Sequence, residues 1–231
     1  PAVQLNPQDM DRHGIADGAL VYVTSRRGSL VLPAQASEEV GLNQAFIAMH
    51  WGSEYLSGCT STGERVAGVN ALTTGAYCPT SKQPELKNAA VKVLKADLPW
   101  SMLAIGWLPE DRALAVREEV RKAVDVFPFA SCVPFGHART GLLLRAAAYE
   151  APPEEIVARI EALLGLDAAD ALRYVDKRKG QRRTVLLVRQ GTHAKLEAFL
   201  LAGDTSAQAW MKTLLEDELP AQSYGRALLA P

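Results

Sequence analysis

The sequence predicts an α+β chain, mainly β in its first part, on three observations. Over the first ninety-odd residues, short apolar runs alternate with Gly-, Pro- and Asn-containing turns, the punctuation of β-strands. Beyond Pro99, strand-like runs interleave with two stretches of helical period in the order βαββαβ, which points to a ferredoxin-like layer of two helices on an antiparallel sheet. A length of 231 residues accommodates one large or two ordinary domains, each with a core of its own. The expected division is a small mixed barrel or sandwich over residues 1–97 and an α+β domain over 100–231, joined through the segment KADLPWS.

Each element has a local reason. In LNPQDMDRHG, Asn6 can accept from the free N–H groups of a first helical turn, Pro7 suits the first helical position and Gly14 supplies a left-handed stop. The runs ALVYVTS and SLVLPAQAS form a hairpin through Arg26-Arg27-Gly28. QAFIAMHWG is a third strand and NAAVKVLKA a fourth; between them lies a long polar loop of the kind that carries function on a rigid scaffold. Next come strand MLAIGW, a helix over 110–126, strands ASCVPFG and GLLLRAAAYE, a helix over 153–164 and strand ALRYVD. The apolar face of the first helix is Ala113, Val116, Val120 and Val124, and that of the second Ile156, Ile160 and Leu163. A hairpin within TVLLVRQGTHAKLEAFLLAG and a helix starting near Asp204 complete the chain.

Composition narrows the function classes. Apolar residues make up 48% and the formal net charge is −1, which argues against a disordered tail and against a broadly basic nucleic-acid binder while leaving room for a local basic site. Cys59, Cys78 and Cys132 are widely spaced, with neither a C-x-x-C pair nor a Cys/His cluster at ligand spacing, so no metal or iron–sulfur site and no disulfide framework is expected from this chain. Reduced thiols in a cytoplasmic chain are the expectation from that cysteine usage, no nucleic-acid partner is expected from the charge, and apolar stretches that end well before 18 residues lead to the expectation of a soluble chain with no membrane partner. A first residue Pro rather than Met, within structured sequence, leads to the expectation of a fragment or processed chain.

Self-contained catalysis finds no support: G-x-x-x-x-G-K-[ST], H-E-x-x-H, G-x-S-x-G and G-x-G-x-x-G after a strand are all absent. His13 and His193 fall at helix-end and turn positions that favour solvated side chains, and His137 follows a strand end. His50-Trp51 differs, because it ends a strand and opens the long loop. Two readings stand for it: an aromatic cap on the core edge, or a flat wall for a ring-shaped ligand.

The loop VNALTTGAYCPTSKQPELKNAAVKV is where ligand chemistry concentrates. Lys82 and Lys87 are either solvated charges or phosphate-binding cations. Thr73, Thr74, Thr80 and Ser81 add hydroxyls, Asn70 an amide that both donates and accepts, and Gly75 a position where backbone can approach closely. Lysine binds phosphate as a point charge, and an amide can read the edge of a pterin or guanine ring. On residue types alone, the loop is compatible with an anionic heterocyclic ligand.

The pairing of N-P-x-D…G-I-x-D-G with N-x-L-T…P-x-S-K-x-P-x-x-K, in order over about ninety residues, resembles the C-terminal molybdopterin-dinucleotide-binding domain of the molybdenum oxidoreductases related to dimethyl sulfoxide reductase. Within that family, FIAMHWG and SKQPELK look most like the bacterial assimilatory nitrate reductases. The resemblance implies a double-psi β-barrel-like domain, without its first strand, that covers a molybdenum bis(molybdopterin guanine dinucleotide) cofactor. It implies Asn70 and Lys87 as cofactor contacts and places Trp51, with His50, near the aromatic wall of the cofactor and substrate funnel. Ser81 and Lys82 join them as expected cofactor-binding residues. Cys78 stands where Asp or Cys is usual, so it need not be reactive, and it is expected to be a small, half-buried side chain. No residue of this chain is expected to be catalytic or to bind metal.

The same resemblance implies that the molybdenum ligand and the iron–sulfur clusters belong to upstream sequence, that the isolated chain is inactive, and that nitrate is the substrate of the whole enzyme. Residues 100–231 resemble the extra C-terminal region of assimilatory nitrate reductases, and YVDKRKGQRRTVLLV…LEAFLLAGDTSAQAW is similar to a small domain at the end of ferredoxin-reductase-like flavoproteins and nitrite reductases, which implies docking to the rest of the catalytic subunit and to an electron-donor protein or reductase subunit. Two alternatives stay open: another molybdopterin oxidoreductase such as a formate dehydrogenase, and a non-enzymatic double-psi barrel interaction module.

Overall fold

The structure, a computed structural model, describes residues 1–57, 68–83, 88–191 and 193–230. It is mixed α+β, rich in strands, and divides into two compact units: Pro1–Asp97 with Val126–Phe129, and Leu98–Asp125 with Ala130–Pro231.

In the first unit, β1 (Val3–Leu5), α1 (Pro7–His13), β2 (Leu20–Thr24), β3 (Ser29–Ala36), β4 (Ala45–Ile47), β5 (Leu56–Ser57), a 3-10 turn at Val69–Leu72 and β6 (Lys92–Lys95) follow in order. Five strands form a curled half-barrel sheet in the order β4-β1-β3-β2-β6. Strand β1 runs parallel to β3, with Val3 opposite Ala34, and the β2–β3 hairpin sets Val21 opposite Leu32. The two-residue period therefore sends Val3, Leu5, Val21, Val23, Leu30 and Leu32 to one face, where they form a core with Met10, Ile15, Val69 and Leu72. The sequence reading has no strand at β1, because three residues carry too little alternation to be recognised.

The N-P-x-D and G-I-x-D-G residues hold this scaffold together. Asn6 Oδ1 accepts the Gln8 N–H at 3.0 Å while its Nδ2 donates to the Val40 carbonyl at 2.8 Å. Asp9 accepts the N–H of Asn43, and Asp17 accepts that of Ala36 at 2.8 Å. Gly14 ends α1 in the left-handed region at φ 63°, where a Cβ would be strained.

The second unit contains β7 (Trp100–Leu108), α2 (Glu110–Val124), β8 (Phe129–Phe135), β9 (Thr140–Ala148), α3 (Glu154–Leu163), β10 (Leu172–Asp176), β11 (Gln181–Gln190), β12 (His193–Ala202), α4 (Gln208–Glu216) and a 3-10 segment at Gln222–Leu228. Its strands run in the order β10-β11-β12-β7-β9-β8. The β7-β9-β8 part has the order a ferredoxin-like sheet requires, but β12, rather than β10, lies next to β7. A ten-residue strand from the final hairpin pairs Ala198 to Ala202 with Gly106 to Met102 and so displaces β10 outward.

Alternation along β7 sends Leu103, Ile105 and Trp107 into a core with Phe199, Leu201, Met211 and Leu215, under α4. Strand β11 carries charge to both of its faces. Arg182 pairs with Glu161 of α3, which also accepts from Thr184, while Arg183 pairs with Asp204 at 2.8 Å and donates to the Ala230 carbonyl. Helix α3 buries Val157, Ile160 and Glu161, so its inner face is rotated from the predicted stripe, and Ile156 and Leu163 are half-buried.

Candidate functional site

The N-x-L-T residues divide into anchors and one outward-facing group. Val69 and Leu72 are buried in the first unit's core, and the Asn70 carbonyl accepts both the N–H and the hydroxyl of Thr73, each at 3.2 Å. The Asn70 side chain is exposed, and its amide has no hydrogen-bond partner among the described residues. The turn therefore buries its apolar residues in the core and leaves one amide, with two donors and a carbonyl acceptor, exposed.

Trp51 is tied to this turn. Its carbonyl accepts the Val69 N–H at 3.1 Å, and its half-buried ring packs on the core that holds Val69 and Leu72. Tyr55 meets the Trp51 ring edge-on at 5.4 Å, and His50 lies against it at 4.9 Å. These geometries keep the indole in one orientation. Trp51 thus caps the core edge and stands beside the Asn70 turn.

Ser81 and Lys82 lie in a separate tight turn. Cys78 N–H donates to the Gln83 carbonyl at 2.8 Å and Lys82 N–H to the Cys78 carbonyl at 2.9 Å. Lys82 has a left-handed backbone at φ 59° and places its Nζ 5.5 Å from the centre of the Tyr77 ring. The Cys78 thiol is exposed rather than half-buried as expected, because its tight turn stands away from the core, and the Ser81 hydroxyl, followed by the N–H groups of Ser81 and Thr80, holds it below the usual thiol range. Lys87 lies outside the described residues, as does Cys59.

The sequence reading missed a further neighbour of the Asn70 turn. At the β2–β3 tip, a Cβ on Gly28 would lie 3.1 Å from the Ala71 carbonyl, so backbone meets backbone there. Gly28 was legible as a turn residue, but this approach spans more than forty residues of sequence and has no local signal. Among the described residues, no cluster of three or more His, Cys, Asp or Glu could hold a metal ion, and no helix is long and apolar enough to cross a membrane. Asn70 and the exposed Lys82 are of the types that can meet the polar edge of a heterocycle and a phosphate, but they lie in two separate turns, and the Thr73 hydroxyl is already bonded to the Asn70 carbonyl.

Comparison with known proteins agrees with that chemistry. Residues 1–90 match the family model described as Molydopterin dinucleotide binding domain. Similar proteins include formate dehydrogenase H of Escherichia coli, 33% identical over 90 residues, which are 39% of this chain and 11% of that protein. A nitrate reductase of Synechocystis is 39% identical over 69 residues, 30% of this chain and 8% of that protein. The assimilatory nitrate reductase catalytic subunit of Bacillus subtilis is 27% identical over 92 residues, 40% and 11% of the two chains. The chain thus spans only about a tenth of the length of these curated relatives.

Proposed function

From the match of residues 1–90 to the Molydopterin dinucleotide binding domain, we propose that this chain is part of a molybdenum-dependent nitrate reductase and clasps one end of its bis(molybdopterin guanine dinucleotide) cofactor. The observation that carries this reading is the exposed Asn70 amide, free of hydrogen-bond partners among the described residues, on a turn whose other residues are buried. Asn70 would read the polar edge of a ring, Trp51 with His50 would wall it, and Ser81, Lys82 and Lys87 would meet phosphate. When bound, the cofactor would supply the metal at which nitrate loses an oxygen atom to become nitrite. This chain would bind and orient it, with no proton or electron chemistry of its own.

The similarity to a formate dehydrogenase over the same 90 residues favours a second reading, in which the parent enzyme oxidises formate. Assaying the parent protein for both reactions with artificial redox dyes separates the two. Asn70→Ala in that protein tests the site itself. Loss of a neutral amide hydrogen bond of about 0.5–1.5 kcal/mol should lower molybdenum and guanine nucleotide content, read by mass spectrometry, with the circular dichroism unchanged. Normal occupancy and turnover would exclude Asn70 from the site.

Residues 100–231 form, in this proposal, a docking domain facing the rest of the catalytic subunit and an electron-donor protein, in a cytoplasmic enzyme whose iron–sulfur clusters lie in other sequence. Its contribution to electron transfer would be to orient a partner. Deleting it should spare turnover with an artificial donor and weaken turnover with the physiological one. Equal loss with both donors would mean that it props up the cofactor domain.

A further inference from the structure

Strand β2 and strand β3 meet at Ser25-Arg26-Arg27-Gly28, and the polar groups of this tip are satisfied internally. Ser25 Oγ accepts the N–H of Arg27 at 3.0 Å and that of Gly28 at 3.3 Å. The Ser25 N–H donates to the Gly28 carbonyl at 2.9 Å, and the hydroxyls of Thr24 and Ser29 bond across the hairpin at 2.7 Å. What the tip leaves exposed are two guanidinium groups, Arg26 and Arg27, and neither has an ion-pair or hydrogen-bond partner among the described residues. Two adjacent cations with no carboxylate partner among the described residues repel each other, so the described fold gains no ion pair from having both there.

Their placement gives them a use. Gly28 lies against the Ala71 carbonyl so closely that a Cβ would come to 3.1 Å from it, which puts the tip next to the turn that presents Asn70. An amide can match the hydrogen-bonding edge of a ring but cannot neutralise a diphosphate. In the neighbouring loop, the described cation Lys82 has its Nζ over the Tyr77 ring at 5.5 Å. Arginine forks match phosphate oxygens two at a time, and a tip braced by its own hydroxyls needs little ordering to receive them.

We propose that the β2–β3 tip is the phosphate-binding arm of the dinucleotide site, with Arg26 and Arg27 neutralising the diphosphate while Asn70 reads the attached ring. This rests on the dinucleotide reading above and adds two residues to it.

The test uses the 231-residue chain and two probes, guanosine 5′-diphosphate and inorganic pyrophosphate, titrated by NMR at several salt concentrations. Arg26→Gln/Arg27→Gln should bind both probes at least about tenfold more weakly than the parent chain, the loss of one charge-assisted contact or more. Its binding should also respond less to salt. Arg26→Lys/Arg27→Lys, which keeps the charge and loses the fork, should fall between. The thermal melt should be unchanged in both variants, because the tip is held by Thr24, Ser25 and Ser29. Unchanged affinity of the glutamine variant for a probe whose binding depends on Asn70 would overturn the arginine assignment and leave the dinucleotide site standing. Absence of binding of either probe to the parent chain would overturn both.

Discussion

The N–H of Val69 donates to the carbonyl oxygen of Trp51 at 3.1 Å, so the Trp51 segment and the Asn70 turn are held together. The residue before this bond permits it. Gly68 has φ +78°, and a Cβ there would come to 2.8 Å from the Gly52 Cα and 2.9 Å from the Trp51 carbonyl oxygen. Gly68→Ala should destabilise the first unit by about 1–3 kcal/mol, read as a lowered urea midpoint. Gly75→Ala, where nothing lies within 4 Å, serves as the control and should leave the midpoint in place.

Burial decides which ion pairs matter in the second unit. Glu161, 2% exposed, holds Arg182 through two of its nitrogens and also accepts from Thr184. Removing the carboxylate leaves the part-buried Arg182 with only the exposed Glu154, 3.5 Å away, and the buried Thr184 hydroxyl without this acceptor, and Glu161→Ala should cost about 3 kcal/mol. The Arg159–Glu119 pair, 55% and 41% exposed, is solvent-screened, and Arg159→Ala should change stability by less than about 1 kcal/mol. Comparable losses in the two variants by chemical denaturation would contradict this ranking.

The two described cysteines should differ sharply in reactivity. Burial pushes the Cys132 thiol up to about 12, against the opposing pull of Arg117 and Arg121, whereas Cys78 is exposed and held below its ordinary range. The thiolate is the nucleophile, so brief treatment with iodoacetamide near neutral pH should modify Cys78 well before Cys132, and the rate at Cys78 should fall as pH falls. Peptide mass spectrometry reads both sites. Early labelling of Cys132 would show that its core opens readily.

Strands β4 and β6 end the five-strand order, and residues of both line one cavity of about 330 Å³. Phe46 on β4 is 56% exposed and Leu94 on β6 is 49% exposed. Unpaired edges with apolar side chains are templates for further strands. The isolated chain should therefore self-associate as concentration rises, and Leu94→Lys should suppress this in light-scattering chromatography. A monomer at all concentrations would mean that the edges are already blunted.

What the sequence made legible was what local chemistry decides. Asn6, Pro7 and Gly14 each occupy the cap, first-turn and stop positions that their residue types require, and the hairpin turns at Arg26-Arg27-Gly28. Long-range pairing was not legible: nothing in the period of β12 says that it lies beside β7, and Glu161 reads as a polar neighbour of an apolar stripe until Arg182 is seen opposite it. In the candidate site, residue types picked out Asn70 and Trp51 separately. Their connection runs through backbone atoms, Val69 N–H to Trp51 carbonyl, which no side-chain pattern encodes.

The internally bonded β2–β3 tip has an evolutionary consequence. Thr24, Ser25 and Ser29 hold the turn, whereas the Arg26 and Arg27 side chains contribute no described contact to it. Substitutions at the two arginines would thus meet little selection from folding and would be screened almost wholly by what the tip touches. A lineage could exchange them as its ligand changed while inheriting the hairpin intact, which makes these two positions, rather than the strands that carry them, the place where descendants of one scaffold would diverge.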